Sequence, residues 1–151
     1  MEISVEQIKE LRAQTGLGIH DVKHALEEAA GDKTKALAIL KERGLATVAK
    51  RSERETSQGV IEVYAHGGRI GAMVEVNCET DFVGRNDDFK AFAHDIALQV
   101  ASMAPESVED LLKQEFFKDT SKTIQEYLTE TIAKTGENIK ITRLARFELG
   151  A

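Results

Sequence analysis

The sequence predicts an α+β protein in two parts: a three-helix N-terminal bundle, then a core in which a three-stranded antiparallel sheet packs with helices. Three observations carry that expectation. Residues 1–44 hold apolar side chains at helical spacing in three short runs broken by glycines. Residues 60–76, VIEVYAHGGRIGAMVEV, alternate apolar and polar around a Gly-Gly pair. Two more helical stripes and a last alternating run, NIKITRLARFEL, complete the chain.

The first helix starts at a capping box, Ser4 with Gln7, and carries Val5, Ile8 and Leu11 at helical spacing. TGLG at 15–18 breaks it. The second helix puts Val22, Ala25, Leu26 and Ala29 on one stripe. Asp32 caps the third, which turns Leu37 and Leu40 inward and ends at Gly44. The charged run KRSERETSQG, residues 50–59, lacks an apolar stripe and reads as a linker, with the division between the parts placed at 54/55. In the second part, Gly67-Gly68 suits a two-residue hairpin loop because both central residues can take positive φ. Ile70, Ala72, Val74 and Val76 then share one strand face. Asn86 caps a strong helix whose stripe runs Phe89, Phe92, Ala93, Ile96, Ala97, Val100 and Ala104, closed by Pro105. Residues 121–134 form another amphipathic helix with Ile124, Leu128 and Ile132 aligned, ended by Gly136. In the final strand Ile139, Ile141, Ala145, Phe147 and Leu149 are in phase, with Arg143 and Leu144 breaking the phase as a bulge or edge would.

Composition narrows the function. Of 151 residues 42% are hydrophobic and 30% charged, a globular balance. The formal charge of −6 argues against direct nucleic-acid binding. The densest basic run, Lys50, Arg51 and Arg54, is diluted by Glu53 and Glu55. No apolar run approaches the roughly 20 residues that span a bilayer. The opening MEISVEQ has neither the basic nor the apolar region of a secretory signal, so the expected location is cytoplasmic. Cys78 is the single cysteine, which excludes an internal disulfide and a cysteine-based zinc site.

No catalytic or cofactor site emerges. His20 and His24 stand i, i+4 on a helix, a metal-binding spacing, but no third ligand is evident. Cys78 with His66 and Asp81 could suggest a nucleophile and its base, yet Cys78 follows an alternating strand and reads better as a small packed side chain. TGLG and HGGRIG are glycine-rich without matching a phosphate loop.

Two stretches stand out instead. In TGLGIHD, Leu17 and Ile19 lie between glycines in a loop between helices; they either fold back on the bundle or meet a partner, and the residues do not choose. In EVNCETDFVGRN, residues 75–86, Phe82 and Val83 occupy a charged turn after a strand. Taken alone they favour an inward plug beneath the following helix. The other reading is an aromatic projecting into a partner, which Asp81 supports, since a carboxylate resists burial without a counter-charge.

The segments LRAQTGLGIHDVKHAL, residues 11–26, and EVNCETDFVGRN resemble the two signature segments of the elongation factor Ts family, the nucleotide-exchange factors of the GTPase elongation factor Tu. The resemblance continues through GVIEVYAHGGRIG, SKTIQEYL and GENIKITRLARFELG. It implies a bundle similar to ubiquitin-associated domains and an α+β core. It implies that Asp81 and Phe82, shaped and braced by Thr80 and Val83, meet the GTPase domain of elongation factor Tu. There the Phe pushes between side chains near the nucleotide and disturbs the bound Mg²⁺. It further implies that Leu17, Ile19, His20 and Lys23 grip the same domain, and it suggests His66 in the hairpin as a contact with another domain. No cofactor, metal or catalytic residue is implied. The alternative is a ubiquitin-associated-type binding module with an unrelated core.

The chain departs from the family pattern at Gly84, where Ala or Ser is usual, and at His24, where a polar or basic residue such as Lys is usual. Between the first core helix and the SKT helix, residues 105–120 replace a longer helical insertion. Longer members carry a second core half, and this chain has one; a homodimer supplying both halves is the corresponding expectation.

Overall fold

The computed structural model describes residues 2–151. Contacts within the chain divide it into two compact units, residues 1–50 and 51–151, and each is described by itself.

In the first unit α1 spans Val5–Thr15, α2 Ile19–Glu28 and α3 Lys33–Arg51. The expected capping box is present: the Ser4 hydroxyl accepts from Gln7 N and the Gln7 side chain accepts from Ser4 N. Asp32 caps α3, its Oδ1 accepting from Lys35 N at 3.1 Å. The core is Leu11, Val22, Ala25, Leu26, Ala29, Ala36 and Leu40, with Ile3, Ile8, Leu17, Leu37 and Ile39 packed against it. Val5, expected on the inner stripe, is instead exposed. Ion pairs join the helices on the outside, Arg43 to Glu28 at 2.7 Å and Lys33 to Glu10. Exposed pairs of this kind contribute about 1 kcal/mol or less each. The helix does not end at Gly44. It runs through to Arg51, because one interior glycine costs only about 1 kcal/mol and the flanking Leu45, Ala46 and Ala49 support helix.

In the second unit β1 spans Gln58–His66, β2 Ile70–Cys78 and β5 Ile139–Glu148, in the order β1-β2-β5, all antiparallel. Gly67 and Gly68 both take left-handed φ, 57° and 69°, and Arg69 N donates to His66 O at 3.0 Å. His66 pairs with Ile70, so Arg69 makes the loop one residue longer than expected. One sheet face, with Ala72, Val74, Val76, Cys78, Ile139 and Ile141 buried, lies under α5, Asp87–Met103. Asn86 caps α5 as expected, accepting from Asp88 N and Phe89 N. Phe89, Phe92, Ala93, Ile96, Ala97 and Val100 are buried along it. Ala104 leaves the stripe: it is the left-handed cap at φ 44°.

The last strand differs from its expected phase. The register shifts between Glu75 and Val76, where Glu75 pairs with Arg143 and Val76 with Ile141. Thr142 is the extra residue. Downstream of this bulge every side chain changes face, so Leu144 and Arg146 turn inward and Ala145 and Phe147 turn outward. Phe147 is 80% exposed. The outer face thus carries Ile61, Val63, Met73 and Phe147, all exposed, beside the Glu75–Arg143 pair at 2.8 Å.

Between α5 and α7, Ile124–Thr135, lie α6, Val108–Lys113, and a small hairpin, β3 Glu115–Phe116 with β4 Asp119–Thr123. The expected helix over 121–134 therefore starts later, where Thr123 caps it. Two buried polar groups of α5 hold this short connection. Gln99 donates to Gln114 Oε1 and Glu115 O and accepts from Phe117 N, all within 3.1 Å. Asp95 accepts from Lys118 Nζ at 2.6 Å and Tyr127 Oη at 2.7 Å. Burial, and then the Asp95 carboxylate, push the Tyr127 phenol upward, so it stays a donor. Phe116 and Phe92 pack on the Tyr127 ring, with centroids 4.6 and 4.9 Å away. Among the described residues no helix is long and apolar enough to cross a membrane.

Candidate partner-binding tip

Strand β2 ends at Cys78, and the chain turns at once into α4, a single helical turn over Asp81–Gly84. Thr80 is its N-cap, with extended backbone and a hydroxyl that accepts from Val83 N at 3.3 Å. The turn is a short helix and not a plain connection. Phe82 does not plug the sheet. It projects, 83% exposed, while Val83 beside it is half-buried. Asp81 is also exposed and pairs with Arg85 at 2.7 Å on the same turn, which supplies the partner a carboxylate needs.

The root of the tip is anchored more heavily than its surface suggests. Cys78 is fully buried and its Sγ donates to Thr80 O at 3.1 Å. Burial, then the Glu137 carboxylate nearby, push its thiol up to about 11. Buried and protonated at neutral pH, the thiol packs beneath the tip. Glu79 accepts from Asn138 N at 2.7 Å and pairs with Arg54 at 3.6 Å. Asn138, itself buried, donates to Arg54 O at 2.9 Å. Glu137 receives both Thr80 N, at 2.9 Å, and the Thr80 hydroxyl, at 2.7 Å. Sequence reasoning missed Glu79, Glu137 and Asn138. The only available signal was a polar stretch, Glu137-Asn138, between a helix-ending glycine and a strand.

Two glycines lie back to back under the tip, and they differ. A Cβ on Gly84 would sit 3.7 Å from Cys78 Sγ and 3.9 Å from Gly59 O, ordinary contact distances. Gly84→Ala is therefore expected to fit, and to raise stability by about 0.5–1 kcal/mol by restricting the unfolded chain. Urea denaturation checks it; a lowered midpoint at unchanged slope would contradict the packing described.

The other predicted residues are distributed more widely. In the first unit Leu17 turns onto the bundle core, whereas Ile19 is 53% exposed. The two readings of that loop thus divide between the two residues. His20, Lys23 and His24 are exposed on α2, Lys23 pairing with Glu27 at 3.7 Å and His24 with the same carboxylate group at 3.5 Å. Among the described residues no three His, Cys, Asp or Glu side chains converge as a metal site would require. His66 is exposed at the hairpin end of β1, its Nδ1 2.9 Å from Tyr64 Oη. It lies a strand length, about 25 Å, from Gly59 at the tip end of the same strand. The structure does not bring it to the tip.

The second unit is thus an α+β core that carries an exposed aromatic, Phe82, on a capped turn braced from β2 and from the residues after α7. The elongation factor TS family model matches residues 79–151. The elongation factors Ts of Carboxydothermus hydrogenoformans and Rubrobacter xylanophilus are each 43% identical to this chain, over 98% of it and 89% of the former protein, and over 99% of it and all of the latter. That of Herpetosiphon aurantiacus is 42% identical over the full length of both. This chain belongs to the elongation factor Ts family, a family of translation elongation factors. These alignments extend over 194 to 197 residues, beyond the 151 of this chain, so the relatives carry segments that it lacks.

Proposed function

We propose that this chain binds elongation factor Tu·GDP and promotes GDP release by disturbing the Mg²⁺ and phosphate site, allowing GTP to bind in turn. The observation that carries this reading is Phe82, held out at 83% exposure on an anchored turn. An aromatic ring left in water gains free energy when it fills a partner's pocket. Mg²⁺ bridges phosphate oxygens and neutralises their charge, so displacing it weakens GDP binding. Thr80, Asp81, Phe82 and Val83 form the intruding element. Ile19, His20 and Lys23 form a second grip through α2, Leu17 supporting it from within the bundle. His66, distant from the tip, serves as a separate contact with another domain of the partner. Such a protein works by binding alone, in the cytoplasm, with no catalytic group or cofactor of its own, and needs neither nucleic acid nor membrane.

The coupling is reciprocal: a factor that weakens nucleotide binding is itself released when nucleotide binds. The chain is expected to co-elute with nucleotide-free elongation factor Tu in size-exclusion chromatography and to separate on addition of excess GDP. Co-elution indifferent to GDP would overturn the proposal.

We propose in addition that the outer sheet face, with Ile61, Val63, Met73 and Phe147 exposed, packs on the same face of a second chain, giving a homodimer with two core halves. Two sheets facing one another at about 10 Å would bury these side chains. Light scattering coupled to size exclusion should return twice the 16.6 kDa chain mass; a monomer at working concentration would sink the idea.

A further inference from the structure

We infer that Glu137 is a positioning residue for Phe82, acting through Thr80; the inference rests on the exchange reading of the tip. A four-residue helix cannot hold its own shape, because the first turn fixes several residues for a single hydrogen bond. Something outside the turn must orient it. Glu137, 57 positions away in sequence, is the group that does so. One carboxylate oxygen accepts from Thr80 N at 2.9 Å and the other from Thr80 Oγ1 at 2.7 Å.

This arrangement settles the direction of the Thr80 hydroxyl. Its proton is committed to Glu137, so a lone pair faces Val83 N, 3.3 Å away, and caps the turn. One side chain thus sets both the cap and the angle at which α4 leaves the sheet. The neighbouring restraints act elsewhere. Cys78 Sγ and Asn138 N hold the backbone oxygen of Thr80 and the carboxylate of Glu79, and Arg85 pairs with Asp81 within the turn itself. None of them reaches the hydroxyl. Glu137 is itself fixed, between the Gly136 cap of α7 and the buried Asn138.

The test is release of a fluorescent GDP analogue from elongation factor Tu at saturating factor, with Glu137→Ala made in the wild-type chain and in Phe82→Ala. In the wild-type background, where Glu137→Ala removes both bonds to Thr80, the maximal rate should fall about tenfold or more, while the half-saturating concentration changes less than about twofold. In Phe82→Ala the same substitution should add less than about twofold, because there is no longer a phenyl ring to aim. Thr80→Val, which removes the hydroxyl and keeps the backbone N–H, should reproduce the loss, and Thr80→Ser should restore the wild-type rate. Should Glu137→Ala fail to fold, Glu137→Gln, which keeps one oxygen acceptor and loses the charge, decides the matter by the same comparison in the two backgrounds. Equal losses from Glu137→Ala in both backgrounds, or wild-type rates in both Glu137→Ala and Thr80→Val, would overturn the positioning role and leave the exchange reading standing. A wild-type rate in Phe82→Ala itself would overturn both.

Discussion

Phe82→Ala is expected to slow factor-stimulated GDP release from elongation factor Tu by about ten- to a hundredfold, the range of a buried aromatic anchor lost from an interface. Formation of the complex should weaken by less, within about fivefold, because the remaining contacts grip the partner before and after the ring enters. Stopped-flow release of a fluorescent GDP analogue, titrated with factor, separates the two. The structure adds a control. Phe82 is 83% exposed and buries little within this chain, so the thermal midpoint should not move. A variant that lost stability together with rate would mean that the ring is a folding element, the inward plug that the sequence first suggested. Asp81→Asn should cost less than Phe82→Ala, because the Asp81–Arg85 pair it removes is exposed on both sides and such pairs contribute little.

Gly59→Ala is the second large effect, and it acts on folding. Gly59 has φ 145°, a conformation L side chains rarely adopt, and pairs with Asn77 across the sheet. A Cβ there would fall 2.1 Å from Val76 O and 2.7 Å from Asn77 Cα, both backbone atoms of the central strand. Neither can retreat without breaking the β1–β2 ladder. The expected loss is about 2–4 kcal/mol, from strained backbone together with the lost pairing, read as a lower urea midpoint. Gly59 also lies beneath Gly84, so the variant should lose exchange activity with the tip's footing. An unfolding midpoint within error of wild type would contradict the register given for β1. The contrast with the tolerated Gly84→Ala, on the same few ångströms of structure, makes the pair a local test of the packing.

Much of this architecture was legible in the sequence where its signal is local. Caps at Ser4, Asp32 and Asn86 each depend on one side chain and a backbone N–H a few positions on, and all three form as expected. The alternation Ala72, Val74, Val76 and the stripe from Phe89 to Val100 repeat at the periods of a strand and a helix, and both are buried accordingly. The sequence was less informative where a single residue resets the period or a partner lies far along the chain. Arg143 and Leu144 mark a break in the last strand, and a bulge stands there with Thr142 as the extra residue; what the pattern does not show is the reversal it causes, which puts Ala145 and Phe147 on the face opposite Ile139 and Ile141. Gly44 looked like an end because glycine usually is one, yet the residues after it keep the helix going. At the site, resemblance pointed to Asp81 and Phe82, and the structure added how they are held. Glu137 reaches Thr80 from 57 positions away, and Asn138 reaches Glu79 from 59; no periodicity marks such pairs. Leu17 and Ile19, equivalent in the sequence, separate only when the bundle closes on one of them.

The central claim is that this chain ejects GDP from elongation factor Tu. The most direct measurement is the dissociation rate of a fluorescent GDP analogue from elongation factor Tu in Mg²⁺-containing buffer, with unlabelled nucleotide in excess, as the wild-type chain is titrated in. The account predicts a rate that rises with added chain and saturates at least about a hundredfold above the spontaneous value. A dissociation rate unchanged at saturating chain would contradict it.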